Sequence, residues 1–216
     1  MYAIVDTETT GTHPAKDRII DIAVLLHNGN RVIKQYNTLI NPQRELPPFI
    51  SAFTSISDAM LADAPLFEEV IDEIEAITSD AIFVAHNVRF DYSFVRNEFK
   101  RAGKAFHRRQ LCTVRCSRKF IPNKQSYSPG KPCKSLDIPV FERHPAAGDP
   151  AATAVLFDMI LRNSERKSFE AMIKTELNSA NLPATLKRQD IDDFPDTHGI
   201  YYFYDQKGRI LYIGKS

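Results

Sequence analysis

Glycine is scarce, at 8 of 216 residues, and no low-complexity tract interrupts the chain. With 43% hydrophobic and 25% charged residues, this excludes a disordered, collagenous or coiled-coil protein. No apolar run approaches the ~18 residues that a bilayer span needs. Asp6 and Glu8 also sit where a signal peptide would be apolar. The expectation is a cytoplasmic protein with no membrane partner. Cysteine is sparse as well: Cys112, Cys116 and Cys133 are odd in number and cannot all pair within one chain, which argues against a secreted disulfide framework. Even with His107 added as a ligand, their spacing lacks the compact pairs of structural zinc sites. At ~150 residues per domain, the length predicts one full domain and a remnant.

Net charge is nearly absent too, at +1, but the average conceals a segregation. Residues 1–95 carry 6 Lys and Arg against 14 Asp and Glu, whereas residues 96–134 carry 12 against 1. Arg108, Arg109 and Arg115, followed by further lysines and arginines, would attract phosphates, and Phe106, Phe120 and Tyr127 between them offer rings for stacking on bases. A solvated helix face followed by a basic loop would have the same composition.

Periodicity predicts strands at Tyr2 to Val5, Arg18 to Leu26 and Arg31 to Ile40, the last two joined at Asn28-Gly29. After a proline-rich passage, Ser57 caps a short helix. Pro65 then opens a helix with Leu66, Val70, Ile74 and Ile77 on one face. Ala81 to Ala85 is a continuous apolar run that suits a buried parallel strand. Asn87 is expected to cap the following helix, Gly103 to stop it, and Leu111 to Val114 to form a fifth strand. Six prolines between 121 and 150 predict loops around a short helix near 131–136. Ala151 to Leu161 resumes a helical pattern, 165–180 reads as a further helix, and 181–196 as a linker.

The chemistry-bearing residues are few. Asp6 and Glu8 are two apart on a strand, so both carboxylates emerge on one face about 6.7 Å apart along the chain, a geometry that suits a hard divalent cation. Asp91 falls about one turn into the helix after Asn87, where the helix dipole favours an anion with or without a metal. Asp149-Pro150 has the form of a capping pair. His144, ~140° from Asp149 on a single helix, must approach from a loop, and Pro145 and Gly148 supply the bend.

Together these residues resemble the DEDDh exonucleases, a family named for four acids and a histidine. The resemblance spans roughly residues 1–163. Its three motifs are similar to Asp6-Thr7-Glu8, Asn87-Val88-Arg89-Phe90-Asp91 and His144-Pro145-Ala146-Ala147-Gly148-Asp149. It implies an α/β, ribonuclease-H-like domain with a five-stranded mixed sheet, three strands antiparallel at one side and helices on both faces. The implied activity is 3′-5′ exonuclease, with 5′-mononucleotides released from single-stranded or frayed nucleic acid, DNA favoured, and polymerase or repair proteins as companions. Asp6, Glu8, Asp91 and Asp149 would hold two Mg²⁺ or Mn²⁺ ions and His144 would accept the proton of the attacking water. Thr7 and Thr9, with Arg108, Arg109 and Arg115, would contact the substrate.

Beyond a linker, Gly199-Ile200-Tyr201 and Tyr212-Ile213-Gly214 flank a turn and resemble the opening of the GIY-YIG endonucleases. The expected organisation is an exonuclease domain at 1–163, a helix and linker at 164–194, and the first hairpin of a GIY-YIG domain at 195–216. Tyr201, Tyr212 and Lys215 match an incomplete second site. Two alternatives follow from the same residues: a catalytically silent nucleic-acid-binding module, or a damage-processing endonuclease acting through the tail.

Overall fold

Alternation along the strands decides which side chains meet which helices. A computed structural model describes residues 1–122, 150–173, 199–205 and 207–215, and the chain divides into two units, Met1–Glu176 and Leu177–Ser216. In the first unit, β1 (Tyr2–Thr9), β2 (Ile19–His27) and β3 (Val32–Leu39) form an antiparallel meander. The β2–β3 turn uses the expected pair. Gly29 takes φ +98°, and the Asn28 carboxamide oxygen accepts the amides of Asn30 and Arg31 at 2.9 and 3.0 Å. The strands β4 (Ile82–Ala85) and β5 (Gln110–Cys112) run parallel to β1, giving the order β3-β2-β1-β4-β5.

Each face of this sheet carries its own core. Ala3, Val5, Ile22, Val24, Phe83 and Ala85 pack with α3 (Phe67–Thr78) and α4 (Arg89–Arg101), whereas Ile4, Leu25, Ile82, Val84 and Leu111 pack on the opposite face. That second layer comprises α5 (Thr113–Phe120), α6 (Pro150–Asn163) and α7 (Arg166–Glu170). Phe157 of α6 is fully buried among Tyr2, His27 and Phe169. Beside it the buried His27 imidazole accepts the Gly29 amide at Nδ1, at 3.0 Å. Its Nε2 therefore holds the proton and donates to Asp158 of α6, also at 3.0 Å.

A third apolar cluster seats α1 (Pro48–Thr54) and α2 (Asp58–Leu61) through Ile50, Ile56 and Leu61 against Ile20 of β2. The α1 helix arises inside the proline-rich passage because Pro48 stands in the first turn, where its missing N–H costs nothing.

Three local expectations give way. Asn87 makes no cap: the N-cap position is Val88, and Asn87 instead adopts φ +68°, a left-handed conformation that asparagine tolerates better than most residues. The fifth strand ends at Cys112, and Thr113 and Val114 already belong to α5. In the segment read as a helix over 165–180, the described helix covers Arg166–Glu170. The expected loops and helix of 123–149 and the linker at 181–196 lie outside the described residues. Gly103 stops α4 as expected, at φ +71°. Among the described residues, no helix is long and apolar enough to cross a membrane.

In the second unit, β6 (Ile200–Tyr204) and β7 (Ile210–Lys215) pair antiparallel, with Tyr202 opposite Ile213. The Asp205 carboxylate organises the turn by accepting the amides of Lys207 and Arg209 at 2.8 and 2.9 Å and the Arg209 Nε at 2.8 Å. Ile210, Leu211, Tyr212 and Ile213, which alternate between the two faces of β7, are all exposed. Two strands alone are marginal in water.

Removing the Phe157 ring is expected to cost about 3–5 kcal/mol, through lost burial and the cavity left behind. Urea denaturation of Phe157→Ala against the parent measures it.

Candidate active site

The site begins where β4 stops. This strand pairs with β1 only from Tyr2 to Ile4, so Asp6 to Thr9 project beyond it. The chain turns through His86 and Asn87 into α4, which brings Asp91, in the first turn of that helix, alongside the projecting end of β1. Thr7 donates both its amide, at 3.1 Å, and its hydroxyl, at 2.9 Å, to Asp91 Oδ1. Thr7 and Thr9 are buried on the α4 side of the sheet, while Asp6 and Glu8 lie half-buried on the opposite side. That is the side on which α6 packs, its first residue following Asp149.

Asp91 is only 4% exposed. Burial and, after it, the negative charge of Asp6 push its carboxyl well above the ordinary carboxylate range, against the opposing effect of the Thr7 and backbone hydrogen bonds. Burial also raises the Glu8 carboxyl. Asp6, Glu8 and Asp91 thus stand at one end of the sheet, and burial disfavours the charge of Asp91 and Glu8. Among the described residues, no three His, Cys, Asp or Glu side chains gather closely enough to hold a metal ion. Asp149 and His144, the remaining expected members, lie outside the described residues.

A cleft of about 550 Å³ opens beside Glu8, lined with it by Thr9, the 10–13 turn, Phe90 and the α1 residues Phe49 and Phe53. The turn is held from beneath. Glu98 of α4, 1% exposed, accepts Arg18 Nε at 2.9 and 3.1 Å and Arg101 Nη1 at 3.0 Å, while Arg101 Nη2 reaches the carbonyls of Pro14 and Asp17. Asp17 in turn accepts the His13 amide at 2.8 Å, and a Cβ at Gly11 would collide with its carboxylate. Charge pattern alone pointed to none of these anchors, although Glu98 is the single acid of the basic segment 96–134.

The other expected contacts separate. Thr9 donates to the Gly11 carbonyl at 2.6 Å, so both threonines already have protein partners. Arg108 does not face the cleft. Its Nη2 binds Glu75 at 2.7 Å and Thr78 at 3.3 Å, and its guanidinium lies over Phe106, 4.4 Å from the ring centroid. Arg109 lines a different cleft, of about 390 Å³, with Met1, Tyr2 and Glu170 at the starting end of β1, remote from Asp6 and Glu8. Arg115 is exposed on α5, which begins directly after β5, and His86 joins that junction to β4 by pairing with Thr113 at 3.0 Å. Of the second set, Tyr201 stands on β6, Tyr212 and Lys215 on β7, and Tyr212 is exposed.

A mixed 3-2-1-4-5 sheet covered on both faces, with acids at the end of its first strand, defines the ribonuclease-H-like class of nucleases. Within it the chain belongs to the Exonuclease family, hydrolases acting on nucleic acids, whose model matches residues 3–157. It is 35% identical over 182 residues to the 3′-5′ exonuclease DinG of Staphylococcus epidermidis, covering 84% of this chain and 20% of that protein. It is also 29% identical over 212 residues to the PolC-type DNA polymerase III of Caldanaerobacter subterraneus, covering 98% of this chain and 15% of the polymerase. The chain therefore spans a fifth or less of the length of these relatives. Among solved structures, Exonuclease X in complex with 5′ overhanging duplex DNA superposes with a TM-score of 0.64 at 26% identity, over 80% of this chain and 99% of that one. Exonuclease I of E. coli, in complex with a dT13 oligonucleotide, shares the fold with a TM-score of 0.65 at 19% identity, over 75% and 41% of the two chains.

The raised Asp91 carboxyl has a signed consequence for the metal-free protein. A folded state that holds this proton more tightly than the unfolded chain loses the associated stability as pH rises from the unfolded value through the folded one. Asp91→Asn, which keeps the acceptor for Thr7 but carries no charge, is expected to be more stable than the parent. Its advantage should widen with pH inside that window at up to about 1.4 kcal/mol per pH unit. Thermal melts in chelator across pH 4–8 read the difference.

Proposed function

We propose that this chain is a divalent-metal-dependent 3′-5′ exonuclease that acts on DNA and releases 5′-mononucleotides. The observation that carries the proposal is the buried Asp91 carboxylate, held by Thr7 against the like charge of Asp6 at the end of β1. An apolar pair in that place would be cheaper for folding alone. Carboxylate oxygens forced together in this way suit a hard cation, and the names of the DinG and Exonuclease X relatives support the substrate class.

In this reading Asp6, Glu8 and Asp91, with Asp149, hold two Mg²⁺ or Mn²⁺ ions. When bound, such a pair activates a water and stabilises the leaving oxygen of a phosphodiester. His144 receives the proton of that water. Thr7 acts through Asp91, holding one of its carboxylate oxygens with two hydrogen bonds. Arg115, with Arg118 and Lys119 exposed on the same helix, draws in the phosphates of a single strand, a role that Arg108 and Arg109 do not share. The resemblance to a PolC-type polymerase supports work beside polymerase or repair proteins.

The proposed organisation keeps the exonuclease at 1–163, a helix and linker at 164–194, and at 195–216 the opening hairpin of a GIY-YIG nuclease. Support for the last part is that its two motifs fall on the two strands of one hairpin, with Tyr201 opposite Gly214. Tyr201, Tyr212 and Lys215 would belong to that second site.

The test is hydrolysis of 5′-labelled single-stranded DNA and RNA with Mg²⁺, Mn²⁺ or chelator. The expected result is a ladder shortening from the 3′ end, preferring DNA and abolished by chelator. Asp6→Asn and His144→Gln should each lower turnover by about 10²-fold or more with the fold intact by circular dichroism. Internal cuts that survive Asp6→Asn would transfer the activity to the tail, and binding without cleavage would make the chain a silent binder. Separately, reversing the charge of Arg115, Arg118 and Lys119 should flatten the slope of log affinity against log salt by about 2 units for a single strand.

A further inference from the structure

The loop between β1 and β2 has little apolar burial to hold it. From Gly11 to Asp17 no residue is buried, so this segment, which lines the cleft beside Glu8 and Thr9, is held chiefly by polar links. At its ends the Thr10 amide donates to the Arg18 carbonyl at 2.9 Å, and the Arg18 amide to the Thr10 hydroxyl at 3.0 Å. Between them Arg101, the last residue of α4, joins the loop to that helix. Its Nη2 donates to the carbonyls of Pro14, at 2.8 Å, and Asp17, at 3.1 Å, and its Nη1 to Glu98 at 3.0 Å. Glu98 does not need this partner to be satisfied. Arg18 Nε already reaches both of its oxygens and the Ile19 amide one of them, at 3.3 Å. The Arg101 fork thus serves the loop, and with its donors engaged on three acceptors it is no contact for a phosphate. From Asp17 the hold passes to the cleft wall, because its carboxylate accepts the His13 amide and packs where a Cβ on Gly11 would stand.

We propose that Arg101 is a positioning residue for the substrate: it presets the 10–17 loop as a wall of the cleft and so governs how tightly a strand end is held, leaving the chemical step to the acids. The inference rests on the exonuclease reading and adds what gives its cleft a grip on ends. A wall that is loose before binding must be ordered by the strand, at a cost in affinity, whereas a wall fixed beforehand by charge-assisted hydrogen bonds avoids that cost. The planar guanidinium suits the task, because it serves a carboxylate and two carbonyls at once in set directions. An ammonium group is a compact point charge without that fork. Arg101 lies ten residues after Asp91, about 15 Å further along α4, so losing its side chain loosens the wall without touching the acids. A stretch of strand held elsewhere, on the basic face of α5, does not enter the cleft and is indifferent to Arg101.

The experiment uses the full chain and the variants R101M, which keeps the apolar stem and removes every donor, R101K, and G11A, which sets a methyl against the Asp17 carboxylate and disturbs the same loop from its other side. All are read at a temperature where melts show them folded. With Mg²⁺ and a single-stranded oligonucleotide, R101M is expected to raise KM about tenfold with kcat changed by less than about twofold, and R101K to fall between it and the parent. G11A should raise KM as well, and the double variant R101M/G11A should add little to either single change, because both act through one loop. The second readout needs no turnover. In chelator, the affinity for a linear single strand is compared with that for a circle of the same sequence, and R101M should bring this ratio towards one while binding of the circle holds. A lowered melting temperature with parent-like KM and ratio would make Arg101 a purely structural residue and overturn the proposal. So would a loss confined to kcat, which would place its effect at the acids, and so would multiplicative effects of R101M and G11A. A parent protein that prefers the linear strand in an Arg101-dependent way but never shortens DNA would instead overturn the exonuclease reading and leave the positioning role standing.

Discussion

One buried carboxylate organises the acidic end of the five-stranded sheet. Asp91 is taken out of water at the first turn of α4 and tethered to β1 through both polar groups of Thr7 that face it, within the electrostatic reach of Asp6. The arrangement is expensive for a protein that only has to fold, because burial and like charge act on the same group. It exists because β4 stops short, leaving the end of β1 to be met by a side chain instead of a strand. The two-faced sheet then does the rest: threonines turn towards α4 and acids towards α6, so a single strand serves both layers.

Much of this was legible in the residues. Strand alternation placed Asp6 and Glu8 together, the apolar run at 81–85 placed a central strand, and Gly103 and the Asn28-Gly29 pair marked real boundaries. What failed did so for local reasons. Asn87 has the right chemistry for a cap, yet the tight passage from β4 to α4 needs a left-handed residue there, and the backbone requirement prevailed over the side chain's preference. The proline-rich passage carried no predicted element, yet Pro48 stands in the first turn of α1, where proline is an initiator. The basic segment misled most. Charge counting cannot tell an arginine that meets solvent from one that spans Glu75, Thr78 and a phenylalanine ring, as Arg108 does.

Glu98 shows the converse. As the one acid among many bases it invites no functional reading, yet it holds two arginines and, through Arg101, the turn that floors the cleft. Cleft and acids are therefore governed by different ends of one helix: Asp91 near the start of α4 and Glu98 with Arg101 near its close. A displacement of α4 along its axis would disturb the cleft and the carboxylate geometry together.

The left-handed Asn87 also limits how freely this hinge point can vary during evolution. Glycine, asparagine and aspartate can occupy such a backbone with little penalty, while valine, isoleucine or threonine would be forced into a conformation that L-residues with branching at Cβ avoid. A change there touches no reacting group, yet it swings the helix that carries Asp91. Sequence tolerance near the acids is thus restricted at a residue whose contribution lies in its main chain.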